Sequence, residues 1–79
     1  MFYLKGKLVL PSRHVYEEIN CEVPPIRWAE LEETTLNPDK VEGRKYMKWI
    51  GSRTIIVYLT EFEDYVRVDT VSATRRKLV

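Results

Sequence analysis

The sequence predicts an α+β domain in which two N-terminal helices pack on one face of a twisted antiparallel sheet. Three observations predict it. Apolar residues recur at three- and four-residue intervals between Val15 and Leu36, they alternate with period two after Gly43, and proline, glycine and asparagine sit at the joints. The second half reads as a three-stranded meander, with an N-terminal edge strand beside it. The chain has 79 residues, 44% hydrophobic and 32% charged. That suits a single compact domain over 1–79 and is too apolar for a disordered chain.

Phe2, Leu4, Leu8 and Leu10 share one parity, which predicts a strand over 2–10 with Gly6 as a bulge. Pro11 ends it, and Ser12 is placed to cap a helix running to about Asn20, with Val15, Tyr16 and Ile19 on one face. Pro24-Pro25 stops that helix. A second helix starts near Ile26, burying Trp28, Leu31 and Thr35 while Glu30, Glu32 and Glu33 face away, and Asn37-Pro38 ends it. The meander strands are expected over 44–50, 53–60 and 65–72. Gly51-Ser52 serves as a two-residue type II′ hairpin loop, and residues 61–64 form the second turn.

Register decides what each face carries. With those turns, Lys45 falls opposite Tyr58, Met47 opposite Ile56, Trp49 opposite Thr54 and Tyr58 opposite Arg67. Ile55, Val57, Leu59, Val66 and Val68 then belong to the core face, while Lys45, Trp49, Tyr58, Arg67 and Asp69 share the outer one. Cations that neutralise phosphate, interleaved with rings that stack on bases, suit single-stranded RNA. The same groups suit metal-free RNA cleavage, which needs a proton acceptor, a cation for the phosphorane and a proton donor. Lys45, Tyr58 and Arg67 are the catalytic candidates. A solvated outer face, or a surface for a protein partner, is the plain alternative.

Charge is uneven. Residues 1–40 hold five Lys/Arg against seven Asp/Glu, net −2; residues 41–79 hold eight against five, net +3. The Arg75-Arg76-Lys77 cluster adds to the basic half, so Arg75 and Arg76 join Trp49 as RNA-binding candidates. His14 is read as a surface histidine in a first helical turn, Asp69 as an ion-pair partner and Cys21 as a small buried hydrophobe. One cysteine and one histidine leave no internal disulfide and no Cys/His zinc site, so no metal and no cofactor is expected. No apolar run reaches the about 20 residues of a membrane span, and Met1-Phe2-Tyr3-Leu4-Lys5 lacks a signal-peptide layout. The expectation is a reduced, cytoplasmic, soluble chain without membrane contact.

The order of parts resembles the RelE/BrnT-like toxins and allied small domains of unknown function. The resemblance runs from Ser12 to Arg76. It rests on Ser12-Arg13-His14-Val15-Tyr16, the Trp28-to-Asp39 helix with its Asn37-Pro38-Asp39 ending, the Gly43-Arg44-Lys45-Tyr46 and Thr54-to-Tyr58 hairpin, and Tyr65-to-Val71 before a basic end. It implies a metal-independent endoribonuclease acting on messenger RNA and neutralised by an antitoxin or other protein partner. Arg44 or Lys45, Arg67 and Arg75 would match its basic positions. Thr70-Val71-Ser72 departs from the Ser-Ala-Arg run familiar in BrnT-like chains. A noncatalytic RNA- or protein-binding module on the same fold is the alternative, and homodimerisation stays open. A dimerisation subunit of a tRNA-modifying assembly ranks last, because it needs a helix where Val66, Val68, Thr70 and Val71 favour a strand.

Overall fold

The structure, a computed structural model, describes residues 2–79. Eight elements follow in order: β1 Phe2–Leu4, β2 Lys7–Pro11, α1 Val15–Cys21, α2 Trp28–Leu36, β3 Lys40–Glu42, β4 Lys45–Ile50, β5 Arg53–Glu61 and β6 Tyr65–Thr74. All six strands join one sheet in the order β1-β2-β6-β5-β4-β3. No helix among the described residues is long and apolar enough to cross a membrane.

This overturns the expected architecture of two helices on one face of an antiparallel sheet. The sheet is mixed and curls into a half-barrel with two short helices. Three physical details separate expectation from structure. First, Gly6 is a turn and not a bulge: Lys5 and Gly6 both take positive φ, 53° and 80°, the type I′ pattern, and fold residues 2–11 into a hairpin pairing Leu4 with Lys7. The hairpin reverses the inward parity, so Val9 is buried and Leu10 is exposed. Second, β2 pairs with β6 in parallel, Leu8 with Tyr65 through Pro11 with Val68, a long-range pairing that periodicity does not encode. Third, Gly43 (φ 61°) turns Lys40–Glu42 into a further edge strand on β4.

The β4–β5 hairpin has the expected register, Lys45 with Tyr58, Met47 with Ile56 and Trp49 with Thr54. Positive φ falls on Gly51 (66°) and not on Ser52, as a type II′ loop requires. The core gathers Ile55, Val57, Leu59, Val66, Val68 and Val71 from β5 and β6 with Val9, Val15, Ile19, Ile26 and Leu31. The parity of Arg67 and Asp69 alone would put Val71 on the outer face. It is buried because Leu59 pairs with Val68 while Tyr58 pairs with Thr70, which leaves Asp69 as the extra residue of a β-bulge and flips the strand beyond it.

The helices differ from expectation in the same concrete way. α1 starts at Val15 with His14 at its N-cap, and Ser12 caps nothing. Instead the Ser12 amide donates to the Val68 carbonyl (2.9 Å) and its hydroxyl to the Asp69 carbonyl (2.9 Å). Past Pro11 the edge of β6 has no strand beside it, and α1 takes that place: Glu18 accepts from the Val71 amide (3.1 Å) and the Thr70 hydroxyl (2.6 Å). In α2, Glu30 does not face away. It is buried against Arg53 (3.3 Å), whose guanidinium also donates to the carbonyls of Pro24 and Pro25. Trp28, expected in the buried face, remains 43% exposed, and Cys21 is exposed too.

Candidate nucleic-acid interface

The bulge at Asp69 organises the outer face. A bulge re-aims the side chain it carries, and the Asp69 carboxylate accepts from the Thr60 hydroxyl and the Arg44 guanidinium on one oxygen and from Arg67 Nε (2.5 Å) on the other. Its carbonyl, released from the ladder, receives Ser12 Oγ and His14 Nε2 (2.8 Å), a contact that places a proton on Nε2. Burial works to raise the Asp69 pKa, but the bonds from Thr60, Arg67 and Arg44 outweigh it and hold the carboxyl below its ordinary value.

Two guanidiniums meet at this carboxylate, and Lys45 shares its face of the sheet. Arg44 occupies the β3–β4 turn, where its Nε also donates to the Leu59 carbonyl (2.9 Å), and its side chain is 62% exposed. Arg67 stands on β6 opposite Thr60 and is 43% exposed. Its guanidinium lies 5.1 Å from the centroid of Phe62, which stacks on Tyr65 at 4.8 Å. Lys45 begins β4 opposite Tyr58, and neither side chain has an ion pair or hydrogen bond among the described residues. Arg44, Arg67 and Lys45 against one ionised carboxylate leave an excess of two charges on the face that carries Tyr58 and the Phe62–Tyr65 stack.

Of the sequence-predicted residues, the structure brings together Arg44, Lys45, Tyr58 and Arg67, with a corrected register. Tyr58 pairs with Thr70, not Arg67, and the two are diagonal neighbours across β5 and β6. Trp49 lies on the same face toward the other end of the β4–β5 hairpin. Its amide donates to Asp39 (2.9 Å), which is the largest influence lowering the Asp39 pKa, and Lys77 Nζ sits 5.7 Å from its ring centroid. Arg75 does not join this face: it lines a cleft with Arg27, Arg53 and Pro24. The Arg76 backbone carbonyl accepts from the Thr54 hydroxyl (2.7 Å), and the Leu78 amide donates to the same hydroxyl (3.3 Å). Sequence reasoning missed Thr60 and the hub role of Asp69. The available signal was Arg67-Val68-Asp69, a cation and an anion two apart on one strand face. Among the described residues no group of His, Cys, Asp and Glu is placed to hold a metal ion.

No protein-family model matches the chain, and no curated protein or solved structure matches it significantly.

Proposed function

We propose that the chain is a noncatalytic module for single-stranded RNA, binding phosphate at Arg44, Lys45 and Arg67 and stacking bases on Tyr58 and the Phe62–Tyr65 pair. The observation that carries this reading is the excess of two positive charges on the face of Asp69, beside half-buried aromatic rings. Stacking is indifferent to base identity and the cations are indifferent to sequence, so broad recognition of unpaired RNA follows. Cleavage asks more of the same groups. The guanidiniums that would stabilise a phosphorane are already bound to Asp69, and their charge is partly spent there. The resemblance to RelE/BrnT-like toxins favours a cytoplasmic ribonuclease held by an antitoxin, and the facing Lys45–Tyr58 pair is what such a reaction would use for proton transfer.

One experiment separates the two. Affinity for a long unstructured RNA is measured across salt concentrations and the same RNA is followed for cuts. Three cations on a single strand give a slope of log K against log salt of about −2, and Arg67→Ala should make it shallower by about 0.7. The RNA stays intact under the binding reading. Cleavage abolished by Lys45→Ala and Tyr58→Phe would replace that reading with the ribonuclease. Absence of binding at low salt would reject both.

A further inference from the structure

Away from the Asp69 cluster, the seam between the N-terminal hairpin and the two helices holds a cleft of about 300 Å³ lined by Phe2, Val9, Leu10, Pro11, Tyr16, Trp28 and Glu32. Tyr16 is 55% exposed, Trp28 43% and Leu10 38%. Isolated exposed apolar residues are ordinary, but apolar residues gathered around one concavity mark an interaction site. The two rings lie 5.2 Å apart and tilted by 59°, in contact with each other, so they form one continuous aromatic wall of the cleft. The helices that carry them contain five glutamates and no lysine or arginine. Three of the five are used internally, Glu18 by β6, Glu30 by Arg27 and Arg53, and Glu33 by the Asn37 side chain. Glu32, at the rim, has no ion pair or hydrogen bond among the described residues.

We propose that this cleft docks a proline-bearing, basic peptide segment of a partner protein, taken in the extended polyproline II form. Prolines pack against aromatic walls and arrive already ordered, so little entropy is lost on docking. Tyrosine and tryptophan supply a large contact area at low rotamer cost. An unpaired carboxylate at the rim selects an arginine or lysine beside the prolines and fixes the direction of the peptide. The acidic helices make the cleft repel a polyanion, so this site and the RNA face are independent.

The probe is a fluorescein-labelled nonapeptide, Pro-Pro-Leu-Pro-Pro-Leu-Pro-Arg-Arg, followed by anisotropy against the full chain. Controls end in two glutamates or replace every proline by glycine. The arginine peptide should saturate, with both controls weaker by about tenfold or more. Trp28→Ala should lose the binding, and its circular dichroism should match the parent because the ring is exposed. Glu32→Lys should weaken the arginine peptide and favour the glutamate one, a reversal that no folding defect produces. Equal binding of the two charge forms, wild-type binding by Trp28→Ala, or no binding at about 1 mM peptide overturns the proposal. A dimer in sedimentation that Trp28→Ala dissociates also overturns it, by giving the cleft to a second copy of the chain.

Discussion

Asp69 shows how one residue sets both stability and charge on the outer face. Its carboxyl is held below the ordinary value of 3.8 by Thr60, Arg67 and Arg44 against the opposing pull of burial. A carboxylate whose pKa is depressed by folding stabilises the fold above its unfolded value, and that stabilisation is lost as pH falls through the lower folded value. The parent should therefore lose stability steeply below about pH 4. Asp69→Asn should cost about 1–3 kcal/mol at neutral pH, since two guanidiniums lose their charged partner, and should flatten the acid limb. Urea midpoints measured from neutral to acid pH check both statements. A variant whose midpoint falls as steeply as the parent's assigns the acid limb to Asp39, whose pKa the Trp49 amide also lowers. The same substitution releases Arg44 and Arg67 from their carboxylate, so RNA affinity should rise while protein stability drops, a divergence that a purely structural Asp69 does not produce.

At the scale of elements, α1 acts as an edge cover. β2 stops at Pro11, and Glu18 then accepts the Val71 amide and the Thr70 hydroxyl that would face solvent or another chain. Glu18→Ala should cost about 1–3 kcal/mol, because it strands a partly buried donor, and the Val71 amide should exchange with deuterium faster while Val57 is unchanged. Uniform acceleration at both sites would show that Glu18 supports global stability only. The sequence revealed the β4–β5 hairpin because Gly51 fixes a two-residue loop and a loop fixes register. It did not reveal the β5–β6 register, because Thr70, Val71 and Ser72 suit a strand in either parity and nothing local marks the bulge. Glu30 was misplaced because its partner, Arg53, is 23 residues away and helical periodicity sees only the glutamate. The candidate site was half legible for the same reason: Lys45 and Tyr58 lie within one local hairpin, whereas the Arg44–Asp69–Arg67 cluster depends on a long-range ladder and a bulge.

Across the whole molecule, the sheet is complete only when the N-terminal hairpin returns to the last strand. β2 pairs with β6 over Leu8–Tyr65 to Pro11–Val68, contacts 57 residues apart in the chain, and without them β6 is an edge and the core loses Val9 together with the supporting Phe2 and Leu4. Such pairings are costly in loop entropy and form late, yet they protect the strand that carries Arg67 and Asp69. In the full chain, amides of β5 and of residues 65–68 should exchange slowest, since both lie between two neighbours. A chain lacking residues 1–11 should lose that protection in β6 first, bind the apolar-surface dye ANS through its uncovered core, and unfold at a lower urea concentration with a broadened transition. Glu18 of α1 cannot compensate, because it covers the edge of β6 only beyond residue 69. If the truncated chain keeps the parent's midpoint and cooperativity, the antiparallel meander of β4, β5 and β6 is self-sufficient, and the parallel pairing is an addition to the fold and not a requirement of it.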